Sequence, residues 1–226
     1  MPSLPILSAQ LPAALDAHRD ALSACRRCTA TLPLGARPVL SHAVAPRVML
    51  VGQAPGPSEA GGGRPFIGRS GRTLFRWIAS AGLPEEEARR ALYIAAVTRC
   101  YPGPHPGGRG DRVPSPAERA ACAPWLAGEL AIVRPALVVP IGRLAIDRFL
   151  GGEALSAVVG EVHDVEVDGI PTRVLPLPHP SGASGWLNAP AHRALLDRAL
   201  LHLGDAFRAL GLVANAPMQA PAGVAA

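Results

Sequence analysis

Three stretches hold most of the side chains that could do chemistry. The first is a set of four cysteines: Cys25 and Cys28 in "CRRC", Cys100 closing "VTRC", and Cys122 in "AAC". A Cys-x-x-Cys pair with two further single cysteines suits either a tetrahedral zinc site or an iron–sulfur cluster. The competing reading makes Cys100 and Cys122 small core hydrophobes. The second stretch is "VGQAPGPSEAGGGRPFIGRSGRTL" (Val51–Leu74), with one carboxylate, Glu59, and one aromatic, Phe66. Glycines there let bare backbone N–H groups approach a ligand, although a loop of this kind taken alone is a phosphate-binding or plain structural turn. The third is "HPSGASGWLN", opening at His179. A His before Pro in a turn is, by itself, a solvated loop residue.

The elements that must position these stretches are legible in the apolar pattern. Four β-branched runs, Arg47–Gln53, Leu92–Cys100, Ala136–Gly142 and Thr172–His179, read as strands. Helical patterns lie between them at Gly71–Leu83, Ser115–Val133 and Arg143–Gly151, and a last one runs from about Pro190 to Leu210. Another helix precedes "CRRC". Ser115 has the marks of an N-cap, with Pro at the next position and Glu close behind. Continuously apolar strands alternating with helices imply a parallel sheet covered on both faces. The expected fold is therefore α/β, a three-layer α/β/α sandwich with a central four-stranded, mainly parallel sheet. "VVGEVHDVEVDGIPTRV" adds a small hairpin before the fourth strand, with "DG" at its turn. Ligands of open parallel sheets sit beyond the carboxyl ends of the strands. The Gln53–Gly71 loop, the loop after Cys100 and the "HPSGASG" loop all fall on that edge.

One domain over residues 1–211 is expected, followed by an Ala/Pro-rich, disordered tail at 212–226. No window is apolar for the length of a membrane span, and the N-terminus lacks a basic region before its apolar residues. The expected compartment is the cytoplasm, where disulfides are uncommon, so two bridges explain the cysteines poorly. The net charge of +5 permits an acidic partner such as nucleic acid. The absence of Lys excludes a phosphate-binding P-loop, which requires one.

Taken together, these motifs resemble the uracil-DNA glycosylase superfamily, closest to its iron–sulfur families four and five. Family four has the form G-E-A-P-G, a short acidic spacer, then G-R-P-F-x-G-x-x-G. The chain has "GQAPGPSEAGGGRPFIGRSG" with the same spacing. Relatives also have the N-terminal Cys-x-x-Cys, a Cys closing a "VxRC" strand, a fourth in the next helix, and a second active-site motif that begins His-Pro. The resemblance covers Cys25 to about Leu210 and implies a [4Fe–4S] cluster on Cys25, Cys28, Cys100 and Cys122. It also implies a monomer that acts on DNA containing uracil or other deaminated bases.

By family position Phe66 stacks on the flipped base, and the backbone around Gln53 and Ala54 lines the pocket near the sugar. His179 donates to the uracil oxygen where charge develops as the glycosidic bond breaks. Ser181 and Gly182 belong to the segment that presses on the DNA backbone.

Two departures from the family stand out. Gln53 replaces an acidic residue and can only orient water, which leaves Glu59 as either an assistant to that water or a brace for the loop. Ala96 stands where relatives in family four have the Asn that reads uracil, so the base edge falls to backbone groups, Thr98 or Asn188. Family five also lacks that Asn, and a broader base range, including hypoxanthine, is expected. "IGRSGRTL" lacks the inserted basic loop of the covalent-trapping relatives, so ordinary turnover is expected. Two rival readings are a nucleoside or nucleotide hydrolase on a similar sheet, and a catalytically decayed iron–sulfur DNA-binding protein.

Overall fold

The computed structural model describes residues 10–43, 46–108, 110–181 and 185–214. In chain order the elements are α1 (Leu11–Ser23), β1 (Val48–Gly52), α2 (Pro57–Gly62), α3 (Arg69–Ser80), α4 (Glu85–Ala91), β2 (Leu92–Ala96), α5 (Pro116–Val133), β3 (Leu137–Pro140), α6 (Arg143–Leu150), α7 (Leu155–Val158), β4 (His163–Val167), β5 (Ile170–Val174) and α8 (Pro190–Ala209).

Every residue of β1 is buried, as a strand apolar on both faces must be. Its side chains alternate between two cores. Val48 and Leu50 join Leu74, Phe75 and Ile78 of α3 and Leu196, Leu203 and Phe207 of α8. Met49 and Val51 join Leu15 of α1, Leu126 and Leu130 of α5, and Phe149 of α6. Helices therefore cover both faces of the sheet, which gives the three-layer sandwich.

The sheet has five strands rather than four, in the order β2-β1-β3-β5-β4. β1, β2, β3 and β5 run parallel, and β4 pairs antiparallel with β5. The extra strand is the first arm of the expected hairpin. Asp168 and Gly169 both have positive φ, 52° and 77°, as a type I′ turn requires. β5 ends at Val174, short of the expected His179; Pro176 and Pro178 have no N–H to extend pairing on the side away from β3. Beyond it the Leu175 and Leu177 N–H groups still donate to the Val138 and Pro140 carbonyls of β3, both at 2.9 Å, and Leu177 bridges to Ile141.

β2 and β4 form the sheet's two edges. A segment running beside β2 covers its outer side: the Ile94 N–H donates to the Ser41 hydroxyl at 3.0 Å, and the Val39 N–H donates to the Arg99 carbonyl at 2.8 Å. β4 exposes Asp164 and Glu166.

Three short helices, α2, α4 and α7, lie outside the expected set. In α4 the first turn carries Glu85, Glu86 and Glu87 and the last carries Arg89 and Arg90, which matches charge to each end of the helix dipole. Near the C-terminus, Leu212 and Val213, at the start of the expected tail, pack against the core; residues 215–226 of that tail lie outside the described residues. No helix of the described residues is long and apolar enough to cross a membrane.

Candidate active site

A cavity of about 350 Å³ opens beyond the carboxyl ends of β1, β2 and β3. Gln53 and Ala54, just past β1, line it together with Ala96 at the end of β2. Glu59 and Phe66 reach it from the glycine-rich loop and His179 from the loop after β5. Six residues from three separate stretches of the chain thus meet where strand ends put them, the position that parallel sheets offer ligands. Asn188 is not among the lining residues; it ends a 3-10 turn over Trp186–Asn188. Ser181 is not among the lining residues but bonds to His179, and Gly182 lies outside the described residues. Thr98 lines a different cavity, on the cysteine side.

Glu59 is buried at 8% exposure. Its two carboxylate oxygens accept from the peptide N–H groups of Gly56 at 3.0 Å and Gly68 at 2.9 Å. The carboxylate thereby ties the N-terminus of α2 to that of α3, and both bonds place negative charge where helix dipoles favour it. A Cβ at Gly56 would stand 2.8 Å from Glu59 Oε2, so this closure depends on glycine.

Phe66 has a left-handed backbone, with φ of 54°, a conformation that bulky side chains rarely adopt. The turn it makes is packed on both sides. A Cβ at Gly71 would lie 1.9 Å from the Phe66 carbonyl oxygen, and one at Gly52 would lie 3.0 Å from Phe66 Cζ. Two glycines therefore let the loop fold back until the ring rests on the end of β1, at the wall of the cavity.

His179 is held in one tautomer. The Ser181 peptide N–H donates to its Nδ1 at 3.2 Å, and the Ser181 hydroxyl lies 2.8 Å from the same nitrogen. A ring nitrogen that accepts from a peptide N–H carries no proton of its own, so the neutral imidazole bears its proton on Nε2. Burial lowers the His179 pKa below its ordinary value and keeps the ring neutral. The result is an uncharged N–H donor on the cavity wall.

Two lining residues, Asp111 and Arg99, were not anticipated from sequence. Asp111 sits on the loop after Cys100, where it pairs with Pro104, and its Oδ2 would be 3.4 Å from a Cβ at Gly56. That loop was already marked by its place at the sheet edge. Arg99 is 2% exposed and pairs with Glu129, itself wholly buried, at 3.0 Å. The Tyr93 hydroxyl donates to the other Glu129 oxygen at 2.8 Å. Arg99 also lines the cysteine-side cavity, so this buried arginine stands between the two sites. Nothing in the local pattern "VTRC" distinguishes Arg99 from a surface arginine.

Cys25, Cys28, Cys100 and Cys122 all line that second cavity, and none is in a disulfide. Among the described residues no three His, Cys, Asp or Glu side chains form a group that could hold a metal ion. The Arg99 peptide N–H donates to Cys122 Sγ at 3.3 Å. Burial, reinforced by the neighbouring thiols, pushes Cys100 up to about 12, and burial pushes Cys122 up to about 11. Glu118 fastens the surrounding chain. It accepts from Thr31, just past Cys28, at 2.8 Å, from Arg112 at 2.6 Å, and from the Ser115 N–H at 2.8 Å in the capping box of α5.

Residues 40–201 match the family model described as the uracil DNA glycosylase superfamily. The chain is 32% identical over 136 residues to a type-4 uracil-DNA glycosylase of Thermotoga maritima, covering 60% of this chain and 65% of that protein. It is 33% identical over 139 residues to a type-4 uracil-DNA glycosylase of Archaeoglobus fulgidus, covering 59% and 65%. A type-5 uracil-DNA glycosylase of Pyrobaculum aerophilum is 35% identical over 177 residues, 70% of this chain and 73% of that one. The first two matches span just under two thirds of those relatives' length.

Proposed function

The chain belongs to the uracil DNA glycosylase superfamily, and on that premise we propose that it is a DNA repair glycosylase. It flips uracil out of DNA, hydrolyses the N-glycosidic bond and leaves an abasic site. The observation that carries this reading is His179, whose Nδ1 accepts from the Ser181 N–H and leaves Nε2 as the donor, on the same cavity as Phe66 and Gln53.

In this mechanism Phe66 stacks on the extruded base. As the bond between C1′ and the base nitrogen breaks, its electron pair leaves with uracil. His179 Nε2–H donates to the oxygen where that charge gathers, and a neutral donor suits the task because it need not lose a proton. Water then bonds to C1′ and releases its proton to solvent. Gln53 orients this water through its carbonyl, and Glu59 holds the loop that carries Gln53 and Phe66. With Ala96 offering no amide, backbone groups read the base edge, which admits other deaminated bases such as hypoxanthine. Ser181 and the residues after it press on the DNA backbone.

Cys25, Cys28, Cys100 and Cys122 would hold a [4Fe–4S] cluster. The four thiols line one cavity and a peptide N–H is donated to one sulfur; they form no single-ion group, and the ligands of a four-iron cluster stand farther apart than those of one ion, which supports this reading. Bound there, the cluster would supply the positive charge that makes buried thiolates tolerable and would cross-link the chain after α1 to the end of β2 and to α5.

A duplex oligonucleotide carrying a single uracil, treated with alkali after incubation, tests the reading. Strand cleavage at the uracil is expected. Release of base from free nucleosides alone would show a nucleoside hydrolase, and binding without cleavage would show a decayed glycosylase.

A further inference from the structure

The unusual backbone of Phe66 raises the question of what maintains it, because a left-handed aromatic residue persists only where its surroundings over-determine it. Gly52 and Gly71 leave room for the turn but do not fasten it. Glu59 ties the loop two residues on, at the Gly68 N–H, and the carbonyls of the turn itself are fastened by α4. Arg89 donates through one terminal nitrogen to the Pro65 carbonyl at 2.8 Å and through the other to the Phe66 carbonyl at 2.9 Å. These two consecutive carbonyls are held by the two arms of one planar group, a geometry that Arg can make and Lys cannot. The guanidinium is itself fixed. Its Nε donates to Glu85 at 2.9 Å, and its carbon stands 4.0 Å from the centre of the Phe75 ring. Its side chain is only 9% exposed. Arg89 is not among the residues lining the cavity, so it reaches the site only through the turn that presents Phe66.

We propose that Arg89 is a positioning residue for base recognition: its guanidinium clamps the Pro65 and Phe66 carbonyls and thereby fixes the Phe66 ring at the cavity wall. This rests on the reading of Phe66 as the stacking platform for a flipped base. Helix α4, which makes no contact with the cavity, then sets how tightly the base is held, and Glu85 and Phe75 support it from behind.

The test is a double-mutant cycle on single-turnover uracil excision, using Arg89→Ala, Phe66→Ala and the pair, well below the thermal midpoint of each variant. Arg89→Ala should slow excision about tenfold to a hundredfold, the range that a misplacement of about 1 Å can reach. In the Phe66→Ala background it should add less than about threefold, as residues acting as one unit are not additive. Full additivity would overturn the proposal. Arg89→Lys is the milder variant, since it keeps the charge and the pairing with Glu85. Loss of excision in Arg89→Lys supports the clamp, whereas rescue by Lys would reduce Arg89 to an ordinary helix ion pair and overturn it. Hydrogen exchange in the peptide spanning residues 64–70 reads the clamp without any DNA. It should quicken in Arg89→Ala and Arg89→Lys even if the wild-type protein excises nothing. Unchanged exchange there would sink the clamp alone, and wild-type inactivity on uracil DNA would sink only the glycosylase reading.

Discussion

His179 packs against a residue that has no side chain to offer it. Gly142 has φ of 80°, and a Cβ there would come within 2.9 Å of His179 Cδ2 and 3.2 Å of its Cβ. The imidazole is therefore wedged between the end of β3 and the Ser181 backbone, which leaves it one orientation. His179→Ala should slow excision by about two to three orders of magnitude, the loss that follows removal of one oxyanion-type donor, with little change in DNA binding. Gly142→Ala should slow it as well, by displacing the ring. The pair should be hardly slower than His179→Ala, measured by single-turnover kinetics. Equal loss of binding and rate in His179→Ala would make the residue an anchor for DNA instead.

Gln53 and Glu59 separate by what they can ionise. If water is only oriented, Gln53→Glu should keep activity within about tenfold, and Gln53→Ala should lose more. Glu59→Gln replaces one accepting oxygen by an NH2 group, which cannot accept from the Gly56 or Gly68 N–H. Its excision rate and thermal midpoint should therefore fall together, with the acid limb of the pH–rate profile unchanged. A stable but inactive Glu59→Gln with a flattened acid limb would identify Glu59 as the general base.

Purified protein should be brown and hold about four irons per chain, as a cubane on four thiolates requires. Colourless protein with one zinc would sink that assignment. Cys25→Ala and Cys122→Ala should yield poorly soluble protein, because each severs one end of the cross-link between the segment after α1 and α5.

Glu118 gives the cysteine region an acid limit. Its hydrogen bonds from Arg112, Ser115 and Thr31 hold its pKa down to about 2, against an ordinary value of 4.5. A carboxylate whose pKa falls on folding adds stability that is complete above the ordinary value and is lost as pH drops through the folded one. The stability gap between the wild type and Glu118→Gln, from urea unfolding, should be widest at pH 6 and close as pH falls from about 4.5 towards 2. A gap that stays constant over that range would show that Glu118 acts through shape and not charge.

The strands were legible because their apolar runs lie between turn residues, and the long helices because their caps and periods agree. α2 was hidden by its composition, since "PSEAGG" has two glycines and no apolar face. It is held by the Glu59 bond to Gly56, a contact that composition does not reveal. Sequence order brought Gln53, Phe66 and His179 to one edge, but the roles of Arg99, Asp111 and Arg89 depend on contacts between elements far apart in the chain. Asn188 illustrates the reverse: nine residues after His179 in sequence, it ends the 3-10 turn and is not among the residues lining the cavity.

The two edges of the sheet carry a consequence for the protein at high concentration. An open edge is a template on which a second molecule can add a strand, the first step towards aggregation. β2 presents none of that ladder at Ile94, whose N–H is already taken by Ser41. β4 is short and sets Asp164 and Glu166 outward, with Asp164 paired to Arg173. A strand laid against it would have to approach those carboxylates. Self-association through the sheet is thus opposed at one end by covering and at the other by charge, and the short hairpin arm that completes the sheet is also what closes it to other molecules.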